Sequence, residues 1–343
     1  MNFFKTIVIS TAVAVFFLAS CASHTTKKGG NAVTMEPVSI PSNLERLPES
    51  RFQEVWAYVV AGAENALKAN YPISDIVYFG AEVDRYGHIV DIPPRKKLAK
   101  YKGRVHVSIA CNSAGLTHFI LEPDSKARKI FINELFNMAS DYDGLNIDME
   151  SLPLKDAGNF ISLLVELRKG LGGKMLSVCV PARTKENQTY NYERIAAVCD
   201  KIFVMAYDEH WSGGAPGPVA SMNWCKEVAK YAIETISKEK LIMGLPFYGR
   251  GWGDKSTSRG LIHSTTERIR KENGIKEVER ENGIPKFQYE VVVKVTVYFE
   301  DDYSLATRMK MYEDMGIKYI GFWRLGQEST SVWNLIGLNK GRR

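Results

Sequence analysis

Eight short β-rich runs recur along the chain, at residues 54–60, 76–79, 104–110, 144–149, 176–180, 201–206, 241–245 and 319–323. Stretches with helical spacing lie between most of them. In 126–139, Ile130, Phe131, Leu135 and Met138 return at helical intervals, and Phe160, Leu163, Leu164 and Leu167 do so in the next segment. Strands that alternate with helices pair in parallel, which leaves a parallel (β/α)8 barrel or a doubly wound sheet. Several runs are close to continuously apolar, as expected of strands buried on both faces. The gap between runs seven and eight, 246–318, is far longer than the others. Residues from about 251 to 302 are therefore expected to form a small α+β insertion. Its second half, 287–299, reads as two strands, followed by a helix from about Tyr303 that stops at Gly316.

Composition excludes several classes. At 45% hydrophobic and 24% charged, the chain can bury a core, so wholesale disorder is excluded. The net charge of +6 arises from 45 basic and 39 acidic residues scattered along the chain, with no basic stripe for nucleic acid. One long apolar run exists, at the extreme N-terminus, which excludes a multi-span membrane protein.

That run has a chemistry of its own. Lys5 precedes the apolar stretch 6–18, which ends in Leu18-Ala19-Ser20-Cys21. A positive start, a short apolar centre and small residues at the end describe a secretory signal. The Leu-Ala-Ser-Cys ending resembles the lipobox of bacterial lipoproteins, which implies cleavage before Cys21 and lipid attached to it. A plain signal peptide or short uncleaved anchor with a chance cysteine is the alternative. Residues 1–20 are thus expected to be a signal peptide. Residues 21–48, rich in Ser, Thr, Lys, Gly and Pro, are expected to be a flexible tether, and 49–343 the catalytic body. The expected location is outside the cytoplasm, lipid-anchored to a bacterial membrane. Cys111, Cys179, Cys199 and Cys225 form no CxxC pair, and no His cluster has metal-ligand spacing, so no metal or other cofactor is implied.

Residues 143–150 read Asp-Gly-Leu-Asn-Ile-Asp-Met-Glu. On a strand, Asn146, Asp148 and Glu150 point one way while Leu145, Ile147 and Met149 point the other. The apolar set can pack beneath helices. The polar set then lines the barrel axis and rises to Glu150 at the C-terminal end, where barrel active sites lie. Buried carboxylates and an amide are costly unless they hydrogen-bond one another, and two nearby carboxylates resist joint ionisation. One of them is expected to hold a proton near neutral pH and so serve as a general acid.

This motif resembles the DxxDxDxE signature of glycoside hydrolase family 18, the chitinase family. Residues 204–211 (Val-Met-Ala-Tyr-Asp-Glu-His-Trp), 244–250 (Gly-Leu-Pro-Phe-Tyr-Gly-Arg) and 321–326 (Gly-Phe-Trp-Arg-Leu-Gly) resemble its strands six, seven and eight. The loop 217–220, with 297–302 and 323–326, is most similar to the branch of bacterial spore-cortex-lytic and peptidoglycan N-acetylglucosaminidases. The resemblance spans about residues 50–338. It implies a (β/α)8 barrel and retaining, substrate-assisted hydrolysis of β-linked N-acetylglucosamine bonds. In that mechanism the substrate's own acetamido oxygen replaces the carboxylate nucleophile of most retaining glycosidases.

Within that resemblance Glu150 is the acid and then the base, Asp148 holds the acetamido N–H, and Tyr207 holds the acetamido oxygen. Asp208 binds sugar hydroxyls and Trp323 forms the floor under the reacting sugar. Asn146, Met205, Tyr248 and Arg250 are expected to bind substrate, and His210 and Trp211 border the groove or belong to a packed loop. Asn146 stands where the family usually has Asp, which removes a carboxylate able to share a proton with Asp148 and bears on the pH profile. The partners implied are an N-acetylglucosamine-containing glycan and, through Cys21, a membrane; a monomer is expected. A glycan-binding lipoprotein without catalysis on the same fold is the competing reading, and the presence of Glu150 argues for the enzyme.

Overall fold

The structure, a computed structural model, describes residues 47, 49–253, 256–290 and 294–339. The expected signal peptide, Cys21 and nearly all of the 21–48 tether lie outside these residues. Eight parallel strands close into a barrel: β1 (Glu54–Val60), β2 (Asp75–Val83), β3 (Arg104–Cys111), β4 (Gly144–Met149), β5 (Met175–Pro181), β6 (Lys201–Met205), β7 (Leu241–Pro246) and β8 (Tyr319–Trp323). Each pairs with its sequence neighbours, and β8 pairs with β1 to complete the circle. The barrel, rather than the doubly wound sheet, is the architecture. Strand β2 runs past the expected 76–79 because Ala81–Val83 continues beyond a register irregularity, where Glu82 and Val83 also pair with Val90 and Ile89 in a short hairpin.

The periodicities place two cores. Leu145, Ile147 and Met149 face outward and are buried with α1 (Lys126–Ala139) and α2 (Ala157–Gly170) in the layer between strands and helices. Phe160, Leu163, Leu164 and Leu167 of α2 are completely buried there. Each such side chain contributes about 1.5–3 kcal/mol. On α1 the buried face is Phe131, Ile132, Leu135 and Met138, while Ile130 is half-buried. The second core fills the barrel itself with Trp56, Tyr58, Val77, Cys179, Phe203, Ile242 and Tyr319.

Between β7 and β8 the chain forms a five-stranded antiparallel sheet and the helix α3 (His263–Glu272). The sheet uses Tyr248–Gly253, Ser256–Ile262, Glu279–Glu281, Ile284–Glu290 and Lys294–Tyr298. It has its own core of Leu261, Ile269, Val278, Phe287, Val297 and Phe299. The first of these strands begins two residues after β7 ends, so the insertion starts at the barrel mouth. The helix after the insertion, Asp302–Asp314, is entered through a capping box at Asp301 and Ser304. No helix among the described residues is long and apolar enough to cross a membrane.

Candidate active site

Strand β4 carries the motif, and each of its residues has a distinct place. At its start, Asp143 Oδ2 accepts a hydrogen bond from the Val105 N–H at 2.7 Å, tying β4 to β3. Gly144 is required by packing: a Cβ there would lie 2.3 Å from His106 Nδ1 and 2.6 Å from the Met175 carbonyl oxygen. Asn146, Asp148 and Glu150 then rise along the inner face as the alternation requires.

The polar residues do not satisfy one another, contrary to expectation. Asn146, 1% exposed, is held from other strands. Its Oδ1 accepts from Ser108 Oγ (2.9 Å) and Tyr58 Oη (3.2 Å), and its Nδ2 donates to Ser177 Oγ (2.9 Å). Asp148, 4% exposed, sits one step higher with its Oδ1 lacking any hydrogen-bond partner among the described residues. Burial first, and the charge of Glu150 second, raise the Asp148 carboxyl well above the usual range. Glu150 follows the strand, its N–H donating to the Cys111 carbonyl oxygen at 3.2 Å. Its side chain opens to solvent on one side while protein crowds the other, and burial, then the charge of Asp208, raises its pKa. That open side moderates the rise. Two carboxyl groups with raised affinity for protons thus stand in sequence at the barrel mouth, the arrangement that keeps one protonated near neutral pH.

The other strands supply the rim. Tyr207 and Met205, at the end of β6, are half-buried against the inner core. Burial, followed by the nearby Cys179, pushes the Tyr207 hydroxyl well up, so it stays a donor. Asp208 has a left-handed backbone at φ 59°, uncommon for a residue other than glycine and a mark of strain at functional sites. Its Oδ1 accepts from Tyr248 Oη at 2.6 Å and from an Arg250 guanidinium nitrogen at 2.7 Å. Tyr248 and Arg250 are two apart on the first strand of the insertion and so share a face. Trp323 ends β8, half-buried, its ring centroid 5.1 Å from that of Phe79 and 5.2 Å from that of Tyr58. The peptide bond between Trp323 and Arg324 is cis.

The structure therefore gathers Asp148, Glu150, Met205, Tyr207, Asp208, Tyr248, Arg250 and Trp323 at one end of the barrel. Asn146 lies beneath them, closed off from solvent. The loop after β6 is a pinned segment: Glu209 accepts from the Ser221 N–H (2.7 Å) and Oγ (3.0 Å), and His210 Nδ1 bonds the Pro218 carbonyl oxygen at 2.8 Å. Its Trp211 is 60% exposed. Sequence reasoning missed Tyr58, Ser108, Ser177 and Tyr190. The first three are polar groups at inward positions of β1, β3 and β5, a signal legible once the barrel phase is known. Tyr190 Oη donates to the Met149 carbonyl oxygen (2.6 Å) and accepts from the Leu152 N–H (3.1 Å), bracing the backbone on both sides of Glu150. Among the described residues no group of His, Cys, Asp or Glu could hold a metal ion, and the four described cysteines are free and buried.

Known proteins share this arrangement of chain. A glycosylase of uncharacterised role from Bacillus subtilis (strain 168), YvbX, is 30% identical over 225 residues, 61% of this chain and 65% of the relative. The chain thus spans just under two thirds of that relative's length. A cortical fragment-lytic enzyme from Bacillus anthracis is 26% identical over 299 residues, 79% of this chain and 69% of the relative. The crystal structure of the Bacillus cereus spore cortex-lytic enzyme SleL superposes with a TM-score of 0.77 at 22% identity, covering 85% of this chain and 76% of that one. Residues 60–328 match the model of the glycosyl hydrolases of family 18, a span holding β2 to β8 and every residue of the mouth, and the chain belongs to that family.

Proposed function

We propose that the protein hydrolyses β-linked N-acetylglucosamine bonds with retained configuration, the substrate's acetamido oxygen serving as nucleophile. The observation that carries the reading is the pair at the end of β4: Glu150 exposed at the barrel mouth, above a buried Asp148 with an unpartnered carboxyl oxygen. Glu150 protonates the leaving glycosidic oxygen and then takes a proton from the incoming water. Asp148 accepts the acetamido N–H and offsets the positive charge that develops on the oxazolinium ring. Tyr207 donates to the acetamido oxygen and holds it in line with the anomeric carbon. Asp208, fixed by Tyr248 and Arg250, takes sugar hydroxyls, and Trp323 offers its ring face to sugar C–H bonds. Met205 fills the wall beside Tyr207. Asn146 acts from below as a positioning residue, its amide committed to Tyr58, Ser108 and Ser177.

Relatives named as cortex-lytic favour peptidoglycan over chitin as the glycan. The protein is read as a monomer consisting of a signal peptide at 1–20, a tether at 21–48 and a catalytic body at 49–343, exported and held at a bacterial membrane by lipid on Cys21. The test is digestion of peptidoglycan and chitotetraose by the purified protein, with products identified by mass spectrometry. Cleavage at N-acetylglucosamine is the expected outcome, and binding of both glycans without cleavage of either would sink the enzymatic reading.

A further inference from the structure

Asp148 has a proton problem that its own strand does not solve. On one side the β3–β4 ladder sets Ala110 beside it, a methyl group with nothing to donate. On the other, the β4–β5 ladder pairs Asn146 with Ser177 and Ile147 with Val178, which sets Cys179 beside it. Beneath, Asn146 Oδ1 is taken by Tyr58 and Ser108, and its Nδ2 donates to Ser177. The titratable groups facing Asp148 are Glu150 from its own strand, Tyr58 from β1, Cys179 from β5, Tyr190 from the segment after β5 and Tyr207 past β6. Glu150 repels the charge. Tyr190 spends its hydrogen on the Met149 carbonyl oxygen.

Cys179 is 3% exposed, with Sγ 2.9 Å from Tyr58 Oη and 3.5 Å from Asn146 Oδ1. We infer that Cys179 is a positioning residue of the reaction, its thiol turning from Tyr58 to donate to Asp148 whenever Asp148 ionises. The hydrogens balance in both states. With Asp148 protonated, the thiol donates to Tyr58 Oη, whose own hydrogen goes to Asn146 Oδ1. With Asp148 ionised, the thiol hydrogen goes to the carboxylate, and Tyr58 keeps Asn146 Oδ1 or turns to the freed sulfur. Burial, with the Asp148 charge behind it, pushes the thiol far up, so sulfur keeps its hydrogen in either state. No bond is made or broken. This chain carries an amide at 146, and the thiol on the next strand takes over the support of the Asp148 charge.

The inference deepens the proposed glycosidase reading, and its test does not depend on turnover. The Asp148 carboxyl is titrated by carbon-13 NMR in the purified protein, its signal assigned by its loss in Asp148→Asn. Cys179→Ala is expected to raise the midpoint by about one pH unit, a tenfold weaker ionisation. Cys179→Ser, which keeps a donor, is expected to stay within a few tenths of wild type. The limb of the pH–kcat profile governed by Asp148 moves with the midpoint. An unchanged midpoint in Cys179→Ala, or equal shifts in the Ala and Ser variants, overturns the inference. A wild-type protein that cleaves no glycan overturns the glycosidase reading instead, while the titration still decides the role of the thiol.

Discussion

The two ends of the barrel handle buried carboxylates in opposite ways. At the floor, where the strands begin, Asp75 is completely buried and surrounded by partners. It accepts from Arg104 Nε at 2.6 Å and from a second Arg104 nitrogen at 2.9 Å, and it bonds His106 Nε2 at 2.8 Å. Glu54 joins the cluster through Arg104 (2.6 Å), Lys201 (3.2 Å) and Trp56 Nε1 (2.9 Å), while Trp56 stacks on His106 at 4.4 Å. Burial alone would push Asp75 up, yet its bonds to His106 and Arg104 outweigh it and hold the carboxyl below its usual range. At the mouth Asp148 is as deeply buried, and burial prevails. The same residue type on one barrel axis is thus a fixed anion at one end and a proton holder at the other. The difference lies in the donors that neighbouring strands present. A buried charge with its partners braces a fold, and one without them is poised to change protonation.

The comparison predicts which variants cost rate and which cost stability. Glu150→Gln is expected to lower kcat by at least about 10²-fold with unfolding unchanged. Steady-state kinetics beside urea denaturation reads both, and near-wild-type turnover would remove Glu150 from its role. Asp75→Asn leaves Arg104 and His106 without their shared carboxylate and is expected to cost about 3–5 kcal/mol of stability. The Asp75 pKa is lowered on folding, so its contribution is present above the unfolded carboxyl pKa and is lost as pH falls through the folded one. The variant's deficit therefore shrinks in acid, and a deficit independent of pH would break the contrast.

Asp148→Asn is expected to abolish most activity but to stabilise the fold by about 1 kcal/mol near neutral pH. The sign is reversed because the Asp148 pKa is raised on folding. Its stability is full below the unfolded pKa and is lost as pH rises through the folded one, so the gain of the variant vanishes in acid. Urea titrations across pH check this, and a loss of stability at neutral pH would place Asp148 with the floor. Trp211→Ala, on the exposed rim, is expected to change stability by less than about 0.5 kcal/mol. A larger change in Tm would show that the loop is packed more firmly than its exposure implies.

Several of these features were legible in the chain. All eight barrel strands stand in the sequence as β-rich runs, because a strand buried on both faces needs an apolar composition that few other elements share. The helical face of α2 and the alternation at 143–150 follow from chain geometry alone. Local spelling was a poorer guide where context acts. Glu-Asn-Gly-Ile occurs twice: at Glu272 it stops α3, with Gly274 at φ 66°, and at Glu281 it turns a hairpin, with Asn282 at φ 48° and Gly283 at φ 82°. The same four residues do either job, and what flanks them decides which.

The alternation of strands with helices, the phase of β4 and the ascent of three polar side chains toward Glu150 are all written in the linear chain. Each depends on periodicity, which is a local property. Which groups answer those side chains depends on how the strands close. Tyr58, Ser108, Ser177 and Cys179 come from β1, β3 and β5, and closure brings them to Asn146 and Asp148 across long stretches of chain. Arg104 and His106 reach Asp75 in the same way. Protonation is set by the summed field of such neighbours in a medium of low dielectric. The linear sequence turns Asp148 toward the barrel axis, and only the closed barrel shows which inward carboxylates are paired.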